Sequence, residues 1–387
     1  VISPCYTETY TQQKQYPSTY PNKLDYLEYR RKKLRRKAYI RKQQQAALRR
    51  LIFLLILCII FTTVIFKVTY RHVYLPVVNS KLELKLDKNF LNSSVAMFST
   101  ADLLGHQTIF DDTYKAGFKS IMRPIPLRRE LKGLKRQLLP IVNSDPDYTA
   151  GIFIWDAQTH NFVSINGDRA FSTASIIKIP VLIELFRRID YGLTKIDKEV
   201  EFQKFHQADG SGWIQYRPIG GSYSLEYLAR LMIQFSDNTA TNILLDEVGG
   251  LAELNDIMIQ WGIQNGHMEN WLPDLTGTNV MSPKDYTMML YNVAKNPEFL
   301  SPESRDKIIE IMSNIKNRNL INCGMPCGST IAHKTGDIGK MVGDAGIITL
   351  PDGRKIIMVA MVERPWNSYK AKEMIRNAAR ITYDYFY

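Results

Sequence analysis

Ser175 and Lys178 stand three residues apart in "TASIIKIPVL", at what reads as the opening of an apolar helix. Residues at i and i+3 share a helical face, which brings the amine to the hydroxyl. Serine is a poor nucleophile until a base removes its proton. Lysine acts as that base only when desolvation and a neighbouring cation depress its pKa. Alone the pair is a weak signal, because Ser304 with Lys307 and Ser313 with Lys316 repeat the spacing. Two further motifs follow in order, Ser236-Asp237-Asn238 and Lys334-Thr335-Gly336. Each is uncommon by chance in a chain of this composition, and their ordered co-occurrence is far rarer. Lys334 would supply the like charge that Lys178 needs.

The elements that must carry these residues can be read around them. Pro180 is tolerated mainly in a first helical turn, so the helix starts close to Ser175. That puts Ser175 at the positive helix end, where developing negative charge is favoured. The second motif lies between the amphipathic "SLEYLARLMIQF" and "TATNILLDEVGG", and the third sits in a short apolar strand. In "RRELKGLKRQLLPIV", residues 128–142, Leu131, Leu134, Leu138 and Leu139 fall on one helical face. "TAGIFIWDAQTHNFVSI" reads as a hairpin, and "VGDAGIITLPDGRKIIMVAMVE" as a second with "PDG" at its turn. A terminal helix follows in "YKAKEMIRNAARITYDYF". Strands at both ends with helices between them predict an α+β domain whose terminal strands join in one antiparallel sheet.

Over residues 125–387 the chain resembles the penicillin-recognising serine hydrolases, most closely the class A β-lactamase branch. That family carries S-x-x-K, S-D-N and K-T-G as its active-site elements. The resemblance implies an antiparallel sheet packed with helices plus an all-helical lobe. It also implies an acyl-enzyme formed on Ser175 with β-lactams or related amides, Lys178 serving as base. Ser236 would relay a proton to the leaving nitrogen, Asn238 would orient the substrate amide, and Lys334 with Thr335 would hold a substrate carboxylate. The backbone N–H groups of Ser175 and of Asp337, just past Gly336, would form the oxyanion hole. Asp237 is expected to brace its loop, His333 to be a strand residue without a proton-transfer role, and Trp271 to be core. Trp213 and Tyr216 fit either a cleft lip or core packing.

The sequence departs from the family where the acyl group is released. Class A enzymes activate the releasing water with a glutamate in an E-x-x-L-N pattern after the second motif. Here "NWLPDLTGTN" puts Leu272 in that place and Thr276 in place of the asparagine, and leucine cannot activate water. Asp274 and Glu269 are nearby but off the matching position. Ala345 stands where an arginine often helps bind the β-lactam carboxylate, with Arg318 as a candidate substitute. Acylation machinery is therefore expected to be complete and rapid turnover is not. The alternatives are a D,D-peptidase or esterase in which Lys178 serves both half-reactions, and a non-catalytic sensor of cell-wall ligands.

The chain has 387 residues, 45% of them hydrophobic, and a net charge of +12. Much of that charge lies in "RRKKLRRKAYIRK", which charge alone would suit to nucleic acid or to an anionic surface. The next segment decides for a membrane. Leu51 to Phe66 carries no charge and is bounded by Arg50 and Lys67. As a helix it spans about 24 Å, and Lys67 snorkelling with Val68–Tyr70 extends it across. A cleaved signal peptide fits less well, since "KVTYRHVYLP" offers no cleavage site. The expected organisation is a cytoplasmic, disordered and polybasic tail (1–50) on anionic lipid, a transmembrane anchor (51–70), a linker (71–124) and an extracytoplasmic, periplasmic hydrolase domain (125–387). The chain opens on Val, which leaves a missing N-terminal piece and an unusual start codon both open. On the oxidising side Cys323 and Cys327 fit either a disulfide or two buried free thiols. Two cysteines without a paired Cys/His set do not make a zinc site, and no metal or organic cofactor is implied.

Overall fold

In "TAGIFIWD" and "KIIMVAMVE" nearly every residue is apolar, the pattern of strands covered on both faces. The computed structural model, which describes residues 122–387, sets these two strands side by side at the heart of a sheet. The elements begin with α1 (Lys132–Val142), β1 (Thr149–Asp156), β2 (Phe162–Ile165), β3 (Phe171–Ser172) and α2 (Lys178–Asp190). Next come β4 (Glu199–Glu201), β5 (Ser222–Ser224), α3 (Leu225–Gln234), α4 (Asn238–Glu247) and α5 (Gly250–Gln260). Then follow β6 (Gly266–His267), β7 (Val280–Met281), α6 (Pro283–Lys295), α7 (Pro302–Ser313) and α8 (Ile321–Gly324). The chain closes with β8 (Thr330–Ile338), β9 (Met341–Thr349), β10 (Lys355–Glu363) and α9 (Lys370–Phe386).

The main sheet runs β2-β1-β10-β9-β8. Its terminal strands join as expected, β1 and β10 pairing antiparallel from Thr149 opposite Glu363 to Asp156 opposite Ile356. Both expected hairpins form, and a third joins β8 to β9. Alternation along β1 splits its side chains between two cores. Ile152 and Ile154 pack with Leu134 and Leu138 of α1 and with Ile375 and Ala379 of α9. Phe153 and Trp155 belong to the other core, with Ile177, Leu182 of α2, Ile243 of α4 and Leu290 of α6. That second core ties the sheet to the helical lobe, and the three motifs meet at this junction.

Two expectations are corrected and one open alternative is decided. The first helix starts at Lys132 rather than residue 128, because the segment before it is bound to the sheet edge. There Arg128 N–H donates to the His160 carbonyl, Leu131 N–H to that of Phe162, and Phe162 N–H to that of Arg129. The last residues of the expected linker already belong to the domain. Met122 is buried, and the Arg123 backbone exchanges hydrogen bonds with the Asn292 side chain at 2.7 and 2.8 Å. Cys323 and Cys327 form no disulfide with each other, and the first is buried while the second is exposed. The expected tail, anchor and most of the linker lie outside the described residues. Among the described residues no helix is long and apolar enough to cross a membrane.

Candidate active site

Ser175 sits in a short 3-10 turn, Ala174–Ile177, that runs directly into α2. Lys178 is the first residue of α2, and its amine lies 2.9 Å from Ser175 Oγ. Pro180 occupies the first turn of the helix, as its ring requires. Lys178 is wholly buried, its Nζ also reaching the Ser236 carbonyl at 3.0 Å, Ser236 Oγ at 3.2 Å and Asn238 Oδ1 at 2.9 Å. The Asn238 amide is oriented by its other end, because Nδ2 donates to the Asp209 carbonyl at 2.9 Å. Ser236 and Ala174 both hold left-handed backbones, with φ of 60° and 44°. Such conformations cost about 1–3 kcal/mol each in non-glycine residues and persist where surrounding contacts hold them.

At Ser236 the neighbouring Asp237 fixes the turn. Its Oδ1 caps α4 by accepting the Ala240 N–H at 2.9 Å. Its Oδ2 accepts the N–H groups of Trp213 at 2.7 Å and Ile214 at 3.0 Å. Asp237 is thus a brace between the second motif and the 208–216 loop, as expected.

The third motif arrives on β8, packed directly against the Ser175 turn. A Cβ on Gly336 would stand 2.7 Å from the Thr173 carbonyl oxygen, so only glycine allows this approach. Lys334 is buried and its Nζ bonds Ser236 Oγ at 3.2 Å and the Thr335 carbonyl at 2.8 Å. Ser236 Oγ therefore bridges the two lysines. Burial above all, and next the Lys334 charge, hold the Lys178 amine well below the ordinary lysine range, against an opposing pull from Asp237. Burial likewise lowers Lys334 to about 7, against an opposing pull from Asp344.

These groups line a cleft of about 260 Å³, with Ser175, Ser236, Lys334, Thr335 and Asp337 on its walls. The Asp337 carboxylate is held by Arg364 and, at 2.7 Å, by Lys372. Arg318 does not reach the cleft. It turns back to the Ser313 carbonyl at 3.1 Å, while Lys316 and Asn317 line the wall instead. Lys316, in sequence only a chance repeat of the Ser-Lys spacing, is fixed by its N–H to the Gln234 carbonyl and lies over the ring of Phe235. Neither Lys316 nor the Arg364–Lys372 clamp had a sequence signal, because each depends on loops folding back from distant parts of the chain. Trp213 packs edge-on to the cleft residue Phe235 at 4.6 Å, and Tyr216 is exposed. Trp271 lies half-buried at the margin of the core.

Leu272 is buried in the core, its backbone N–H and carbonyl both bonded to the Asn242 side chain. Asp274 is occupied by the backbone N–H groups of Gly277, Thr278 and Asn279 and by the Thr276 hydroxyl. Glu269 is exposed, 4.0 Å from His267. His333 is buried with Nδ1 at 2.8 and 3.0 Å from the Asp344 carboxylate.

Comparison with known proteins gives this arrangement a family. The family described as the beta-lactamase enzyme family matches residues 132–386. The VEB-1 β-lactamase of Pseudomonas aeruginosa is 27% identical over 256 residues, covering 61% of this chain and 85% of that protein. The solved structure of PBP-A is 37% identical with a TM-score of 0.66, covering 68% of this chain and 98% of that one. A β-lactamase structure from Sphaerobacter thermophilus is 27% identical with a TM-score of 0.59, covering 65% and 95%. The match runs from α1 to α9 and takes in both sides of the cleft and all three motifs: this chain belongs to the beta-lactamase enzyme family.

Proposed function

We propose that this protein is a serine hydrolase acylated at Ser175 by β-lactams or related cell-wall amides, and that it releases the acyl group slowly. One observation carries the first half: a buried amine of lowered basicity 2.9 Å from Ser175 Oγ. The Ser236 carbonyl and Asn238 Oδ1 can only accept, so they occupy both N–H groups of a neutral Lys178. The remaining lone pair is then available to the Ser175 proton. As Oγ attacks the carbonyl carbon, that proton passes to Lys178. Ser236, between the two lysines, passes a proton to the leaving nitrogen as the C–N bond breaks and is reprotonated from Lys178. The N–H groups of Ser175 and Asp337 receive the developing oxyanion, and Lys334 with Thr335 receives a substrate carboxylate.

Slow release follows from Leu272, a buried side chain without a proton-accepting group. The nearby carboxylates Asp274 and Glu269 are, respectively, committed to loop N–H groups and exposed. A solved leucine-to-glutamate variant of PBP-A is an acyl-enzyme complex with penicillin G, which supports β-lactams as acylating agents for this chain too. The apolar run Leu51–Phe66 behind its basic flank supports a membrane anchor, with the hydrolase domain on the outer side.

The test is a time course of intact mass with a penicillin, alongside Ser175→Ala. A persistent adduct on the unaltered protein alone is expected. Rapid decay with ring-opened product would mean a β-lactamase using another base, and no adduct would remove β-lactams from its function.

A further inference from the structure

Asp337 is the penultimate residue of β8, and the chain turns back through Gly339 and Lys340 into β9. β8 is the last strand of the main sheet, so ladder hydrogen bonds hold its backbone from one side only. The chain just past β10 supplies a second hold. Arg364 N–H donates to the Lys340 carbonyl at 2.8 Å, and Asn367 N–H to the Gly339 carbonyl at 2.7 Å. Trp366 closes over Gly339, where a Cβ would stand 2.4 Å from its ring. The Arg364 side chain is all but fully buried. Its Nη1 donates to the Ser368 carbonyl at 2.9 Å. Its Nη2 reaches two acceptors on β8, the Ile338 carbonyl at 3.1 Å and Asp337 Oδ1. Asp337 Oδ2 is taken by Lys372 of α9 at 2.7 Å.

The charge of Asp337 does not need this arrangement. Its side chain is 34% exposed, within reach of water, and already paired with Lys372. What the guanidinium adds is geometry. It is planar and rigid, so bonding it to the Asp337 carboxylate and to the next residue's carbonyl fixes Asp337 at two points. We propose that Arg364 is a positioning residue: through Asp337 and Ile338 it sets the direction of the Asp337 N–H, the oxyanion donor on the β8 side of the cleft. The oxyanion role rests on the acylation mechanism proposed above; the hold on the Asp337 backbone does not.

The experiment compares Arg364→Met, which fills a similar space without donors, with Arg364→Lys, which keeps a cation able to reach one acceptor. In Arg364→Met the acylation rate constant is expected to fall about tenfold, short of the loss on the order of 10²-fold that follows removal of a whole oxyanion donor. The half-saturating penicillin concentration stays as it was, because Lys334 and Thr335 are untouched. A penicillin and a carboxylate-free ester lose the same factor, since both develop an oxyanion. Arg364→Lys recovers part of the loss. In parallel, NMR of the nitrogen-labelled full-length protein reads the order parameter of the residue 337 amide, which should drop in Arg364→Met. A folded Arg364→Met protein whose residue 337 amide stays as rigid as before overturns the proposal, and so does an unchanged acylation rate. Should that variant not fold, Asp337→Ala releases the same hold from its part-exposed end. The same losses are then expected, and the absence of either overturns the proposal in the same way. Because the amide measurement needs no substrate, a lack of any penicillin adduct on the unaltered protein counts against the acylation mechanism, while the amide still decides whether Arg364 holds Asp337.

Discussion

At the residue scale the proposed mechanism asks opposite protonation states of the two lysines, whose surroundings lower both from the ordinary range. In the proposed mechanism Lys178 acts as a base when neutral, so acylation should fall on the acidic side as it gains a proton. Its limb lies well below the ordinary lysine range because burial, then Lys334, disfavours the charged form. In the same mechanism Lys334 holds a carboxylate when charged, so acylation by a penicillin should also fall as pH rises through about 7. A carboxylate-free ester should lack that alkaline limb, which pH profiles of acylation with the two agents will show. Leu272→Glu tests the release step. A correctly placed base contributes on the order of 10²-fold, so the penicilloyl adduct should decay faster by about that factor. Unaltered decay in a folded Leu272→Glu protein would mean that the side chain cannot reach the acyl carbon.

At the scale of elements, the site exists because β8, the Ser175 turn and the Ser236 turn are pressed together. Asp237 holds the last of these through one helix cap and two loop N–H bonds. Asp237→Ala should cost roughly 3 kcal/mol, summing a lost cap with partly buried unpaired donors. Denaturant unfolding will measure it, and a loss below 1 kcal/mol would show that water replaces the carboxylate. Gly336→Ala attacks the other contact. Its Cβ meets the Thr173 carbonyl, so β8 must retreat from Ser175. Acylation should drop by more than tenfold while the unfolding midpoint moves little, since the main-sheet pairing survives. The start of α1 shows what local pattern misses: residues 128–131 open a segment read as one helix over 128–142, yet the β2 edge offers their backbone groups tertiary partners.

At the scale of the whole molecule, the proposed anchor makes a separate prediction. The protein should sediment with membranes and be released by detergent, not by high salt, because buried apolar area is indifferent to screening. Release by salt alone would reduce the basic segment to a peripheral contact. Within the family domain, the sequence by itself determined the three motifs that meet at the cleft and the terminal strands that close the sheet. Those features follow from residue type and short-range spacing, which any fold of this class must respect. Only the tertiary structure decided which cations face the cleft. Lys316 rather than Arg318 lines it, Arg364 and Lys372 take up the Asp337 charge, and Asp344 meets His333 from the neighbouring strand. A charge's effect depends on distance through a dry interior, and residues far apart in the chain acquire that distance only when the sheet and loops close around them.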